Sequence, residues 1–146
     1  MIKKIEHLGL AVNDMDNAKE VFDKLLGKQS YKEENVASED VDVAFYQTGE
    51  SKIELLQSLS DDSAIRKYIN KKGEGIHHIA FEVDDINSEI TRLKNEGFQF
   101  INETPKSGAD NKLICFLHPK TTNGVLIELC QEKAWRKYQE VSRLEK

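Results

Sequence analysis

The segment "HHIAFEVDDINSEITRLKNEG", residues 77–97, is a second copy of an earlier part of the chain. A shift of 71 positions places it over "EHLGLAVNDMDNAKEVFDKLL", residues 6–26. The residues that are then identical include His7 and His78, Val12 and Val83, and Asp14 and Asp85. The two halves also close alike, with "KIELL" at 52–56 and "LIELC" at 126–130. An internal repeat of this kind predicts one structural unit built twice.

Each copy predicts the element order βαβββ, and hence an α+β fold. A strand with alternating apolar residues (5–12 and 77–83) precedes an Asp/Asn turn that suits a helix N-cap. An amphipathic helix follows, and the second one is expected to end at Gly97. We expect its apolar face to hold Met15, Ala18, Phe22 and Leu25 in the first copy, and Ile86, Ile90 and Leu93 in the second. The remaining strands are expected in "VDVAFYQTGESKIELLQ" (41–57) and "KLICFLHPKTTNGVLIELC" (112–130).

These elements predict a single domain over residues 1–146. The first module runs from about 4 to 57 and the second from about 75 to 131. Between them, residues 58–74 are expected to form a linker with a short helix, and residues 132–146 a charged terminal helix.

Composition limits the classes of function. The formal net charge of −5 and the lack of a basic stripe argue against nucleic acid as a partner. No apolar run approaches the ~20 residues that span a bilayer, and the N-terminus lacks the features of a signal peptide. Cys115 and Cys130 have neither metal-type spacing nor the number expected of a disulfide framework. We therefore expect a cytoplasmic protein that binds neither membrane nor nucleic acid.

Strand alternation predicts which side chains share a site. His7 and His78 lie on the strand faces that otherwise carry small residues, which leave room for a cavity. His77, the neighbour of His78, would then point to the apolar side of its strand and take no part in the site. On the closing strands, Glu54 and Glu128 each stand between two apolar residues that face the other way.

If the two halves pair symmetrically, these four side chains converge. A lone strand histidine is usually just a hydrogen-bonded residue, and a lone glutamate is usually solvated, but matched positions in both copies favour a joint site. Two imidazoles and two carboxylates suit a divalent metal such as Zn²⁺, Co²⁺, Ni²⁺ or Mn²⁺. The predicted ligands are His7, Glu54, His78 and Glu128.

The stretches "HLGLAV", "SKIELLQ", "KKGEGIHHIAFEVDDI" and "FLHPKTTNGVLIELC" resemble the vicinal oxygen chelate superfamily, and within it the methylmalonyl-CoA epimerase family, from about Ile5 to Gln131. The resemblance implies a glyoxalase-like curved sheet around a metal cavity. It places the four residues named above at the family's metal positions, although some members carry Gln in place of Glu54. It also implies an acyl-CoA substrate, a homodimer, and interconversion of (2R)- and (2S)-methylmalonyl-CoA through a metal-stabilised enolate.

A separate base on the strand before Glu54 is not expected. A turn at 49–50 would pair Phe45 with Glu54 and give the inner face to Val41, Val43 and Phe45, none of which takes a proton. The hypothesis is therefore that Glu54 and Glu128 serve as acid and base. Coenzyme A contacts stay unassigned, since Lys106, Lys112 and Lys120 are more often solvated lysines.

Other functions remain open at the level of sequence. A glyoxalase I-type lactoylglutathione lyase would share the metal site but use a glutathione hemithioacetal. An extradiol dioxygenase would use Fe²⁺ with two His and one Glu. A non-catalytic small-molecule binding protein would keep the fold without needing the His/Glu set, and the terminal helix with Trp135 and Tyr138 would either dock a partner or pack on the domain.

Overall fold

The computed structural model describes residues 1–133, which form eight strands and three α-helices. The elements of the first half are β1 (Ile2–Val12), α1 (Met15–Leu26), β2 (Lys32–Val36), β3 (Val41–Thr48) and β4 (Ser51–Ser58). A connecting helix, α2 (Ala64–Lys72), leads into the second half. The elements of that half are β5 (Gly75–Val83), α3 (Ile86–Asn95), β6 (Lys106–Ser107), β7 (Lys112–Leu117) and β8 (Ile127–Glu132). The expected terminal helix lies mostly outside the described residues.

All eight strands belong to one mixed sheet with the order β2-β3-β4-β1-β5-β8-β7-β6. The order is symmetric about its centre, where β1 and β5 run antiparallel. Each of these two strands then has a parallel neighbour from its own half, β4 for β1 and β8 for β5. The duplicated βαβββ fold expected from the sequence is therefore confirmed, and its midline brings the two histidine strands side by side.

Matching aspartates start the two long helices. Asp14 accepts a hydrogen bond from the Asn17 backbone N–H at 2.9 Å, and Asp85 accepts one from Ser88 at 3.1 Å. Each side chain satisfies a donor that the first helical turn leaves unpaired. Both helices therefore begin where the Asp/Asn turns predict.

The prediction that Leu25 belongs to the apolar face of α1 is wrong. Leu25 is 71% exposed, whereas Leu26 packs with Met15 and Phe22 against the sheet. At 100° per residue, Leu26 lies only about 20° around the helix from Met15, whereas Leu25 is about 80° away on the other side. Leu26 is therefore the last residue of the apolar face of α1.

The two faces of the sheet have different partners. On one face, Val12 packs with α1 and Val83 packs with α3, as the alternation of β1 and β5 predicts. On the other face, Ile65 and Ile69 of α2 pack against the first half. This second face also carries both histidines, so α2 forms part of the wall around the site. Within residues 1–133, no helix has the length and apolar character needed to cross a membrane.

Candidate metal centre and active site

A cavity of about 640 Å³, including its open mouth, lies between the second face of the sheet and α2. All four predicted ligands line it. The rest of the wall is mainly apolar and includes Val43, Leu56, Ile65, Ile114 and Phe116. Such walls keep water away from a small cluster of ionisable groups, which strengthens every electrostatic interaction within it.

Three of the predicted ligands meet at one atom. His7 Nε2 lies 3.0 Å from His78 Nε2 and 3.1 Å from Glu128 Oε2. All three residues are buried, and their ligand atoms lie within 4.8 Å of one another. Atoms bound to one ion at about 2.1 Å are separated from each other by about 3.0–3.4 Å, so the spacing suits a shared cation.

The fourth predicted ligand lies beside the other nitrogen of the same ring. Glu54 Oε2 is 3.0 Å from His7 Nδ1, and the Glu6 carboxylate is 2.9 Å from that nitrogen. These two glutamates and His7 form a second group whose ligand atoms are within 4.8 Å. The other three predicted residues thus surround His7, but Glu54 approaches it from the opposite side to His78 and Glu128.

Burial and charge divide the protonation states of this cluster. Burial would lower the pKa of His7, but the carboxylates of Glu54 and Glu128 outweigh it and raise that pKa well above its ordinary value. Burial lowers the pKa of His78 to about 3. It raises the pKa of Glu54, whereas the pKa of Glu128 is lowered because the charge of His7 outweighs burial. The surroundings therefore favour positive charge at His7 and a neutral imidazole at His78.

The donor set fits a divalent metal. Glu128 Oε2 is buried and receives no aligned hydrogen bond from any residue between 1 and 133, although His7 Nε2 lies nearby. A buried carboxylate oxygen without such a bond is unfavourable unless something else binds it. Neutral imidazole and carboxylate are both ordinary ligands of Zn²⁺ and similar ions.

His77 is not the bystander that strand alternation predicts. In the β1–β5 ladder, Gly9 pairs with His78 and Leu10 with Ile76, so His77 is skipped and forms a β-bulge. A bulge breaks the period of two and re-aims a side chain. His77 therefore also lines the cavity, and its Nδ1 lies 3.0 Å from the Nδ1 of His78. Burial lowers its pKa to about 4.

Glu6 occupies the equivalent position in the first half. The ladder pairs Ile5 with Phe81 and His7 with Ala80, so Glu6 is the skipped residue of β1. It is 3% exposed and lies on the same side as its neighbour. Burial alone would raise the pKa of Glu6, but the His7 contact and the nearby lysine lower it to about 2. Sequence alternation gives no sign of either bulge, because pairing between the halves creates them.

A further carboxylate reaches the cavity from outside the regular strands. Val41 and Val43 do line it, as expected, and Asp42 instead contacts Asn35. Glu39, however, sits in a 3₁₀ turn before β3 and also lines the cavity. Its buried Oε1 lies 2.7 Å from Lys106 Nζ without an aligned hydrogen bond from the described chain. The only sequence signal was an acidic residue next to a strand, and a turn has no face that alternation could assign.

The three lysines that the sequence left unassigned have different environments. Lys112 is only 6% exposed and pairs with Glu132 at 3.2 Å, so it is not a solvated lysine. Lys106 is partly exposed and pairs with Glu39, and Lys120 lies in a turn after β7. None of these contacts identifies a coenzyme A site.

Comparison with known proteins agrees with this geometry. A family model described as "Glyoxalase/Bleomycin resistance protein/Dioxygenase superfamily" matches residues 6–116. The chain therefore belongs to this superfamily, which confirms the resemblance seen in the sequence.

Three relatives define where in the superfamily the chain falls. The human mitochondrial methylmalonyl-CoA epimerase is 38% identical over 129 residues, covering 88% of this chain and 73% of the human protein. The ethylmalonyl-CoA/methylmalonyl-CoA epimerase of Cereibacter sphaeroides is 38% identical over 133 residues, covering 90% of this chain and 99% of that protein. A solved structure of methylmalonyl-CoA epimerase in complex with methylmalonyl-CoA and NH4+ superposes with a TM-score of 0.85 at 31% identity, covering 92% of this chain and 97% of the other.

Proposed function

We propose that this protein is an isomerase that interconverts (2R)- and (2S)-methylmalonyl-CoA with the help of a divalent metal. The observation that carries the proposal is the meeting of His7, His78 and Glu128 at one point of an apolar cavity, in a chain similar to methylmalonyl-CoA epimerases over most of its length. The acyl-CoA substrate, the cytoplasmic location and the homodimer expected from the sequence belong to the same proposal.

The metal would be held by His7, His78 and Glu128. Glu54, the fourth predicted ligand, would join them only if its carboxylate turned from His7 Nδ1 toward the Nε2 side. When bound, a divalent cation supplies Lewis acidity to the thioester oxygen of the substrate and so makes the C2 proton more acidic. Zn²⁺, Co²⁺, Ni²⁺ and Mn²⁺ all accept this donor set. The apolar walls would surround the small acyl group and keep water from the carbanion-like carbon.

Epimerisation needs a proton removed from one face of C2 and another returned to the opposite face. Two acid–base groups on opposite sides of the substrate would do this. Glu54 and Glu128 are our proposed pair, since both carboxylates border the proposed metal position and each comes from a different half of the chain.

Glu39 is an alternative member of the pair. It lies on a different element from the other two carboxylates, in the turn before β3, and its side chain borders the same cavity. Its buried Oε1 receives no aligned hydrogen bond from residues 1–133, but it lies 2.7 Å from Lys106 Nζ. A proton accepted from a bound molecule would therefore compete with that ion pair. A pair made of Glu39 and one metal-side glutamate would place the two groups on separate walls.

Exchange of the C2 hydrogen with solvent deuterium tests the function and its residues. The wild-type protein loaded with Co²⁺ should exchange the C2 hydrogen of both methylmalonyl-CoA epimers. Glu128→Gln should abolish exchange while Co²⁺ stays bound, and retained exchange would remove Glu128 from the acid–base pair. Glu39→Gln serves as the matched variant: loss of exchange for one epimer only would assign Glu39 as the second group.

The Co²⁺-loaded wild-type protein also distinguishes the epimerase from the lactoylglutathione lyase and the small-molecule binding protein. Turnover of a glutathione hemithioacetal without turnover of methylmalonyl-CoA would overturn the proposal in favour of a lyase. A protein that binds a small molecule but no metal would be a binding protein instead.

A further inference from the structure

The β-bulges at Glu6 and His77 are related by the internal repeat. Glu6 and His77 coincide under the same shift that superposes His7 on His78, and each is the skipped residue immediately before a predicted ligand. Each bulge directs a polar side chain at the Nδ1 atom of the histidine that follows it. The Nε2 atoms of His7 and His78 face each other instead. The repeat has therefore kept a local irregularity, not only a regular strand.

In the first half, Glu6 holds His7. In the neutral form of His7, which is the form that binds a metal, the Nδ1–H donates to Glu6 Oε2 at 2.9 Å, and the Nε2 lone pair faces the side of His78 and Glu128. Glu6 is itself fixed, because Lys52 Nζ lies 2.5 Å from its other oxygen. Glu6 and His7 are both buried, so water does not readily replace the hydrogen bond between them.

In the second half, His77 occupies the same position relative to His78. Their Nδ1 atoms are 3.0 Å apart, so one of them donates and the other accepts. An imidazole that offers its Nε2 lone pair to a metal carries its proton on Nδ1. His78 is therefore the donor and His77 the acceptor, with the His77 proton on Nε2. The Tyr68 ring packs edge-on to His77 with the ring centroids 5.0 Å apart, which limits its rotation.

We infer that Glu6 and His77 are positioning residues of the metal centre, each accepting the Nδ1–H of the following histidine and so directing its Nε2 into the cavity. Hydrogen bonds of this kind fix the tautomer and ring orientation of a ligand, and their loss commonly lowers metal affinity about 10–100-fold. The inference rests on the proposed metal site. It also predicts an asymmetry, because a carboxylate is a stronger acceptor than a neutral imidazole.

Paired substitutions separate the hydrogen bond from the other properties of each residue. Glu6→Gln and Glu6→Met both remove the charge that faces Lys52, but only Gln keeps an oxygen that can accept from His7. His77→Gln likewise keeps an acceptor, whereas His77→Phe keeps a ring against Tyr68 and loses the acceptor. Each comparison is made between two variants with similar effects on packing.

The measurement is a titration of chelator-treated protein with Co²⁺, followed by its visible absorption. We expect the Met and Phe variants to bind Co²⁺ at least tenfold more weakly than their Gln counterparts, with a larger difference at position 6. Nitrogen-15 NMR of the imidazoles should show the proton of His78 on Nδ1 in the wild-type protein and in His77→Gln, and a shift toward the other tautomer in His77→Phe. A structural role alone would lower the unfolding temperature without producing this tautomer change.

The possible failures are distinct. Equal Co²⁺ affinity within each pair of variants, in a wild-type protein that binds Co²⁺, would overturn the inference and leave the proposed function intact. Wild-type protein that does not bind Co²⁺ would overturn both. Tight Co²⁺ binding with the expected differences, but no exchange at C2 of methylmalonyl-CoA, would support the positioning role and refute the proposed epimerase.

Discussion

Gly9 and His78 are paired across the central β1–β5 ladder, and the His78 ring fills the space where residue 9 would carry a side chain. A Cβ built on Gly9 would lie 2.1 Å from His78 Cε1. Position 9 therefore requires glycine, because any side chain there would overlap the His78 imidazole. At the related position in the repeat, Ala80 pairs with His7 and its methyl group is accommodated.

Gly9→Ala should displace His78 from the metal centre. The contact is far too short to be relieved without moving the ring, so we expect Co²⁺ affinity to fall at least tenfold and the protein to lose about 1–3 kcal/mol of stability through overpacking. Co²⁺ titration and urea unfolding measure the two effects. Ala80→Gly is the matched control and should change Co²⁺ affinity by less than about threefold, with a destabilisation of about 1 kcal/mol. Wild-type affinity in Gly9→Ala would show that His78 is not a ligand in this position.

A divalent cation should stabilise the folded chain through His7 and His78. Binding to the folded state alone raises the free energy of unfolding by about 2.7 kcal/mol at a hundredfold excess over the dissociation constant. We expect a higher unfolding temperature with Co²⁺ than with chelator, and no such difference in His7→Ala or His78→Ala. His118→Ala should retain the full increase, because His118 is exposed and its Nδ1 accepts the backbone N–H of Lys120. An unchanged increase in both ligand variants would place the cation elsewhere.

Stability should fall as the pH is lowered, because His77 is held in its neutral form in a partly buried position. Its pKa is lowered to about 4 in the folded protein, and a typical unfolded value is about 6.5. Between these values the unfolded chain binds more protons than the folded one. The stabilisation is therefore complete above pH 6.5 and is lost as the pH falls toward 4.

The loss attributable to His77 should be about 1–2 kcal/mol. Urea unfolding of chelator-treated wild-type protein and His77→Gln, each at pH 7.5 and pH 5, measures it. The variant should show the smaller decrease between the two values. Equal decreases would mean that His77 is accessible to protons in the folded state.

Lys52 should be needed to keep the buried Glu6 carboxylate and the partly buried Asp110 carboxylate charged. Its Nζ lies 2.5 Å from Glu6 and 2.6 Å from Asp110, and it is 8% exposed. Removing one member of a buried ionic network leaves the opposite charges poorly compensated, so Lys52→Met should destabilise the protein by about 3 kcal/mol at pH 7.

Lys24→Met is the control for this prediction. The Lys24–Glu20 pair is 3.0 Å long but lies at the surface, with side chains 75% and 68% exposed, so we expect a change below about 0.5 kcal/mol. Urea unfolding of both variants gives the comparison. Equal effects of the two substitutions would show that the buried network contributes no more than a surface pair.

The sequence alone determined the repeated unit and the faces of its strands. A period of two places His7 and His78 on the faces with small residues, and Glu54 and Glu128 on the matching faces of the closing strands. Helix starts at Asp14 and Asp85 were equally readable, because capping depends on residues within one turn.

Only the tertiary structure decided which further side chains reach the same cavity. Glu6 and His77 turn inward because the pairing of β1 with β5 skips each of them, and that register depends on a partner distant in the chain. Glu39 reaches the cavity from a turn, where no periodicity fixes the direction of a side chain. Local sequence sets the period of a strand, whereas contact with the other half sets where that period is broken.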